Sequence, residues 1–587
     1  MYSMGGKQQL IKKNLSFIKV LPQWAQDLSY KYCSKTVNMY IVHGNIRDFL
    51  PHTMNEGEFS FKKIQEYISD VLFGNGDIIA YYDRSSGVTF CTSEMEKEYL
   101  AIMKRFFPHV TQEQLLSKNP QESFEHLEKY FLINIPQKKR IVFLIDYAET
   151  VVPYESIGDL DDADRFCLVT LNRWSHEPVF TQGDVSIMLL TENLTDINTR
   201  LTSSPSVVKV AIPLPGSELR TLFLEYLLAQ ELMLLERGLT PEKMGALSAG
   251  LNLWHLHQLA TESFQEDVPI SLDFLRNKKK EIIEKEGAGL IEFLETEHDL
   301  SFVSGHEFVK NRFKNASRAI KQNQLDVLPM GYLITGPIGT GKSFLVSAFA
   351  GEIGIPMVRL CNFYANGSGV TETNLERVLS ILKAMTPVAV MIDEADTFLG
   401  SREDKRGDGS GSRIFAQIAS FMGNTDYRGK IIWFLITSRP DLIPIDLKRQ
   451  GRAEEHLALF YPETIDEKIT LFETMQRKLD IKVEKFPLQE IFKKVSFEMS
   501  GADIEAVLVR SKMEAAMDKR VIVTKKDLEQ TIKDFIPPVY PYEIELQNLV
   551  AVLECTSREM VPKKYQNMDR TKLAAEIREL KQLLGTF

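Results

Sequence analysis

The sequence predicts an α/β protein that uses one plan twice, each copy a parallel sheet flanked by helices and followed by a helical segment. Three observations predict it. Short continuous apolar runs alternate with amphipathic stretches, the pattern of strands buried on both faces by helices. The runs come in matching sets: Met39 to Gly44, Ile141 to Asp146 and Val185 to Asn193, then Gly331 to Gly336, Val388 to Asp393 and Ile431 to Ser438. In each set the second run ends on an aspartate and the third on a polar cluster.

With 587 residues the chain is too long for one hydrophobic core, and two to four domains are expected. We divide it into a first sheet module (1–215), a helical segment and linker (216–295), a second sheet module (296–462), its helical segment (463–540) and a helical tail (541–587). The junction KKKEIIEKEGAGLIEFLE, Lys278 to Glu295, reads as a charged helix interrupted by Gly287 and Gly289. The stretch SREDKRGDGSGS, Ser401 to Ser412, reads as an exposed loop. Pro537, Pro538 and Pro541 punctuate the end of the second module. In the tail Leu573, Ile577, Leu580 and Leu584 share one helix face, with Gly585 as a C-cap. That face is expected to cover the preceding helical segment, a partner or subunit contact being the other reading.

Charge and cysteine usage narrow the function classes. A net charge of -10 speaks against nucleic-acid binding by bulk charge, though a local basic patch stays open. Cys33, Cys91, Cys167, Cys361 and Cys555 form no CxxC pair. Neither a zinc site nor a disulfide framework is expected, which points to a reducing compartment. No apolar run reaches the roughly eighteen residues of a membrane span. The first residues interleave lysines with apolar side chains instead of forming a signal-peptide core. A cytoplasmic setting is expected.

The segment GPIGTGKS, from Gly336 through Pro337, Ile338, Gly339, Thr340, Gly341 and Lys342 to Ser343, satisfies GxxxxGK(S/T). A strand (Tyr332, Leu333, Ile334) precedes it and a helix (Phe344, Leu345, Val346, Ala348) follows. Such a P-loop converges backbone N–H groups on phosphate oxygens at a helix N-terminus. Lys342 is expected to reach the β- and γ-phosphates of ATP, and Ser343 to ligate Mg²⁺. The run VAVMID delivers Asp393, a second Mg²⁺ ligand, and Glu394, which can polarise the attacking water. The next run, IIWFLITSRPD, ends in Thr437 and Ser438, either of which can meet the γ-phosphate or that water. Arg449 and Arg452 in DLKRQGR are a solvated face or fingers that reach a neighbouring subunit's γ-phosphate.

The order of P-loop, DE, TSRPD, RQGR and SGADI resembles the AAA clade of the AAA+ ATPases, among them valosin-containing protein, N-ethylmaleimide-sensitive factor and katanin. The likeness covers Leu300 to about Phe535. It implies tandem P-loop NTPase-like modules with helical lids. RIFAQIASFMG, Arg413 to Gly423, looks like the family's helix before the third strand. The resemblance implies that Val303, Ser304 and Gly305 contact adenine, that Gly501 and Ala502 in SGADI meet the nucleotide from the lid, and that Phe344 lies against it. It further implies a ring, usually a homo-hexamer, in which Arg449 and Arg452 act in trans. Ser438 stands where the family has asparagine, so its reach is shorter. The family's aromatic pore step falls at Gly367-Ser368-Gly369, with Phe363 and Tyr364 too early, which puts substrate threading in doubt. The junction is similar to that of bacterial and plastid-encoded AAA proteins whose first module is degenerate.

The first half departs from the motif. VHGNIRDFL, Val42 to Leu50, has no Gly-Lys-Ser/Thr; Tyr147 follows Asp146; Asn193 is retained; and RLTSSPS supplies only Arg200. We read a degenerate module for assembly or partner binding. A divergent nucleotide site, with His43, Asn45 or Arg47 replacing the lysine, is the alternative. For the whole chain the expected function is an ATP-hydrolysing remodeller of an unidentified protein client. A nucleotide-switched scaffold is the alternative, and a DNA-linked loader fits the acidic balance less well.

Overall fold

The computed structural model describes residues 21–585 except 54–58, 75, 156–157, 288, 295, 297, 323, 354, 362–371, 400–409, 496 and 537–539. The pore stretch with Phe363 and Tyr364, most of the 401–412 loop, Pro537 and Pro538, and the N-terminal lysines lie outside the described residues, as does the side chain of Arg413. Two compact units are present. One runs to Ile283 and includes Leu379–Ala384; the other comprises Glu284–Val378 and Met385–Phe587. Among the described residues no helix is long and apolar enough to cross a membrane.

The first unit holds β1 (Met39–Gly44), the hairpin β2 (Leu50–Thr53) and β3 (Phe59–Lys62), β4 (Ile78–Asp83), β5 (Gly87–Phe90), β6 (Ile141–Ile145), β7 (Val185–Thr191) and β8 (Val207–Ile212). Its sheet has the order β5-β4-β6-β7-β1-β8, parallel except for the edge strand β5. Every residue of β6 and β7 is buried, which is why both read as unbroken apolar runs.

The second unit holds β9 (Ile291–Phe293), β10 (Gly331–Thr335), β11 (Met357–Leu360), β12 (Val388–Ile392), β13 (Ile431–Ile436) and β14 (Glu455–Ala458). Its order, β14-β10-β13-β12-β11-β9, is that of the first sheet, with β10, β11, β12, β13 and β14 in the places of β1, β4, β6, β7 and β8. The repeat is therefore a repeat of topology. The antiparallel edge strands differ in origin: β5 follows its partner β4 in the chain, whereas β9 comes from the junction.

That junction corrects one expectation. The charged helix ends at Glu286, and the residues beyond the glycines form a strand instead of more helix. Ile291, Glu292 and Phe293 pair with Leu360, Arg359 and Val358, so the open edge of β11 captures a segment whose apolar residues alternate.

The tail corrects another. The helix Arg570–Leu583 packs through Leu573 and Ile577 on Leu546, Leu549 and Val550 of the helix Pro541–Glu554, not on the lid. Lys581 also reaches Asp441, just past β13, at 2.6 Å. The lid forms a separate core around Phe472, Phe492, Ile504 and Leu508.

Candidate nucleotide site

The loop between β10 and the helix Lys342–Ile353 is shaped by its glycines. Gly336 has φ +135, and a Cβ there would stand 2.0 Å from the Leu459 carbonyl oxygen past β14. Gly339 and Gly341 also lie at positive φ, +81 and +83. Such turns ahead of a helix N-terminus form an anion-binding concavity. Lys342 leads the helix, and its ammonium donates to the carbonyl oxygens of Gly336 (2.8 Å) and Pro337 (2.9 Å). Burial lowers its pKa to about 8, against the opposing pull of Asp393 and Asp396. The Thr340 hydroxyl donates to the Pro337 carbonyl at 2.9 Å, closing the loop on itself. Ile338 is held through its peptide groups. Its N–H donates to Gln547 Oε1 at 3.0 Å, and the Tyr461 hydroxyl donates to its C=O at 2.6 Å, while its side chain is 65% exposed.

A cavity of about 670 Å³ opens beside the loop, within the usual range for a small-molecule site. Gly339, Thr340, Gly341 and Phe344 form its floor, and Val303, Ser304 and Gly305 one wall. Gly501 and Ala502 line it from the lid. The lid is docked there by chemistry legible in SGADI. Ser500 and Asp503 form a capping box on the helix Gly501–Met517, and the Gly501 N–H donates to the Gly339 carbonyl at 3.1 Å. The Lys478 ammonium stands 4.7 Å from the Phe344 ring centre and 3.3 Å from Glu505.

Residues 332–461 match the family described as ATPase family associated with various cellular activities (AAA). Residues 12–213 match the AAA+ chaperone, N-terminal Rossmann-like domain, and residues 218–288 the AAA+ chaperone, second helical domain. The chain belongs to the AAA+ ATPase family. It is 30% identical over 214 residues to the proteasome-activating nucleotidase of Methanococcus vannielii, covering 35% of this chain and 51% of that protein. It is 23% identical over 363 residues to the uncharacterized AAA domain-containing protein ycf46 of Guillardia theta, covering 60% of this chain and 70% of that one. To the cell division cycle protein 48 homolog of Archaeoglobus fulgidus it is 29% identical over 203 residues, 34% of this chain and 27% of that one.

In this AAA+ chain Asp393 directly follows β12, half-buried, and its Oδ1 accepts the Glu394 N–H at 3.0 Å. Glu394 is exposed and sits at φ +48, a conformation uncommon for a non-glycine residue and enriched at functional positions. Ser343, next to Lys342, is half-buried. At the end of β13 the Thr437 hydroxyl donates to Asp396 at 2.6 Å and accepts the Arg439 N–H at 2.8 Å, while Ser438 beside it is partly exposed. Thr437 and Asp396 thus tie the ends of β12 and β13 together, a link the motifs alone did not mark.

Arg449 and Arg452 lie between β13 and β14 and do not line the cavity. Arg449 is exposed; Arg452 donates to the Asp446 carbonyl at 2.9 Å. Burial, with Arg449 nearby, lowers the pKa of Arg452.

The first unit keeps the backbone of this site and fills it differently. Gly44 at φ +94 approaches the Ile212 carbonyl as Gly336 approaches Leu459; a Cβ would lie 2.6 Å away. Tyr147 at φ +49 repeats Glu394, and its N–H donates to Asp146 Oδ1 at 2.8 Å. The polar side chains of this loop and its surroundings are engaged internally. Arg47 donates to Asp146 (2.8 Å) and lies over the Tyr147 ring at 4.0 Å. Gln65 donates to the same Asp146 oxygen at 2.8 Å, and Asn45 donates to Asp48 at 2.7 Å. Burial, helped by Lys209, pushes His43 down to about 4, so it is neutral at pH 7. Asp48 in turn accepts the N–H groups of Leu253 and Trp254, tying this loop to its own helical segment as Gly339 is tied to the lid.

Gln547, Tyr461 and the tail residues Met560 to Pro562 at the cavity were not singled out by motif. One signal was available for Gln547. It and Asn548 are amides inside the apolar helix stretch LQNLVAVL, and both are 7% exposed. A buried amide in such a run needs a partner.

Proposed function

We propose that this AAA+ chain binds ATP with Mg²⁺ at Gly336 to Ser343, hydrolyses it, and spends the turnover on remodelling an unidentified protein client as a homo-oligomeric ring. The observation that carries the reading is Lys342, desolvated over the P-loop and, among the described residues, hydrogen-bonded to the carbonyl oxygens of Gly336 and Pro337. A polyphosphate would supply the anion its charge lacks. Glu394, exposed beside Asp393, is the candidate to orient and deprotonate the attacking water. Ser438 and Thr437 face the strand ends from which a γ-phosphate or that water can be met. Phe344, Val303 to Gly305, Gly501 and Ala502 are candidates to hold the base and ribose. Arg449 and Arg452, away from the cavity of their own chain, are candidates to complete a neighbour's site.

The donor set suits Mg²⁺. Ser343 and Asp393 offer hard oxygens, and Mg²⁺ retains several waters and leans on substrate phosphates instead of an all-protein cage. Bound Mg²⁺ neutralises charge on the phosphate oxygens.

A nucleotide-switched scaffold is the second reading, favoured by the first module, whose Arg47–Asp146 closure leaves it a folded body suited to assembly. Two variants test the first reading. Lys342→Ala is expected to lose ATP binding; wild-type affinity in that variant sinks the site. Glu394→Gln is expected to bind ATP and turn over at least about 100-fold more slowly. Protein captured by Glu394→Gln in ATP, and released when ATP is withdrawn, supports remodelling. Turnover that no captured protein accelerates supports the scaffold.

A further inference from the structure

The tail reaches several elements of the proposed site. Gln547 accepts the P-loop Ile338 N–H at 3.0 Å. Glu554, at the end of the same helix, is ion-paired to Lys448, next to Arg449, and lies 3.3 Å from His456 on β14. The Thr556 hydroxyl donates to the His456 carbonyl at 2.9 Å. Met560, 9% exposed, joins the core that includes Val303 and lines the cavity with Val561 and Pro562. Lys581 pairs with Asp441, just past Ser438, and Asp441 also pairs with Arg439 at 2.9 Å. A mere appendage would be expected to touch one outer face. This segment touches the P-loop, the end of β13 and the arginine segment.

We propose that Pro541–Leu583 is a working wall of the nucleotide site and that Gln547 is a positioning residue for the P-loop. This rests on the ATP reading above. The loop must present its N–H groups to phosphate without collapsing, and Ile338 is the one residue in it gripped from outside on both peptide groups. Tyr461 fixes its C=O from the β14 side; Gln547 fixes its N–H from the tail. With both grips the peptide planes on either side of Ile338 cannot turn, so Gly339 and Gly341 stay in the left-handed conformations that shape the concavity. Losing the Gln547 grip frees the loop before binding, and ATP must then order it. The expected loss is in affinity, not in the chemical step.

The test uses the full chain, with equilibrium ATP binding, steady-state hydrolysis and thermal unfolding. Gln547→Met keeps the reach and removes the strong acceptor. We expect Kd and KM for ATP to rise about tenfold, the worth of one well-placed hydrogen bond, with kcat within about twofold and little change in Tm. Ile338→Pro removes the donor and carries the same expectation, so it serves if Gln547→Met does not fold. Combined, the two changes should cost no more than either alone, because each removes the same bond. Wild-type KM in Gln547→Met, or effects that multiply in the double variant, overturns the proposal. So does a fall in Tm with KM unchanged, which makes the tail purely structural. If the wild-type chain itself binds no ATP, the ATP reading falls and the proposal with it; wild-type binding with an indifferent Gln547→Met strikes the proposal alone.

Discussion

Arg47 Nη1 donates to Asp146 Oδ2 at 2.8 Å, so the strand-end aspartate of the first sheet is neutralised by its own chain. In the second sheet the matching Asp393 has the ammonium of Lys342 in its field, and among the described residues that ammonium donates to carbonyl oxygens and makes no ion pair. One module is closed by an internal ion pair; in the other the matching positions hold no such pair among the described residues.

The closed pair yields the first prediction. Asp146 is 9% exposed at its side chain and Arg47 33%, so Arg47→Ala leaves a nearly buried carboxylate with only Gln65 and the Tyr147 N–H. Truncating one partner of a buried pair costs about 3–5 kcal/mol, and the partial exposure of Arg47 reduces that to about 1–2 kcal/mol. Chemical denaturation should show that loss in the stability of the chain. Calorimetric titration should give one ATP per chain in both proteins. Two ATP per chain in the wild type contradicts the reading of the first module.

Gly44 gives the second. It survives in a loop that has lost its phosphate motif because a backbone, not a ligand, requires it. Alanine there meets the Ile212 carbonyl at 2.6 Å and must hold φ +94. Gly44→Ala should destabilise the chain by about 2–4 kcal/mol, strain and displacement of β8 together. ATP affinity should stay as it was. A stable Gly44→Ala protein, judged by its unfolding midpoint, counts against a shared strand-end backbone.

This glycine also shows what the sequence could carry. The six strand runs were legible because strands buried on both faces leave continuous apolar stretches, and observed ends differ from the expected ones by at most two residues. The P-loop and SGADI were legible because phosphate binding and helix capping impose residue types at fixed spacing. The strand Ile291–Phe293 was not, because three residues beside a charged helix are too short a run for their alternation to stand out. For Gln547 the apolar run LQNLVAVL signalled only that the amide needs a partner; that partner, a backbone N–H 209 residues away, no local pattern encodes. Nor was the tail's seat legible, since an amphipathic helix shows that a face is buried but not against what.

The arginines predict complementation. Arg449 and Arg452 do not line the cavity of their own chain, so neither is expected to finish its own site. Arg452→Ala should bind ATP normally and lose about 10³-fold in turnover. Mixed with Lys342→Ala protein, it should recover part of the activity, as intact P-loops meet intact arginines. Recovery is read as phosphate release against the mixing ratio. No recovery in mixtures shown by cross-linking to contain both chains removes the trans assignment.

The last prediction concerns pH and the seat of the tail. His456 on β14 is buried, with Nδ1 3.3 Å from Glu554 Oε2 and Nε2 near the carbonyl oxygens of Lys448 (3.0 Å) and Ala453 (3.1 Å). Burial alone would lower its pKa, but Glu554 and the surrounding carbonyls outweigh burial, and the net shift is upward from 6.5. The Lys448 ammonium, which shares Glu554, also faces this cluster. A pKa raised on folding means the protonated imidazole stabilises the folded chain. That contribution is complete below about pH 6.5 and is lost as pH rises through the folded value. The difference in Tm between wild type and His456→Gln should therefore be largest near pH 6 and shrink toward about pH 9. In Glu554→Gln, which removes the anion that raises the pKa, the same difference should lose most of its pH dependence. A Tm difference that stays flat with pH in the wild-type background would show that folding leaves the His456 pKa unshifted. Glu554 would then hold the tail through Lys448 alone.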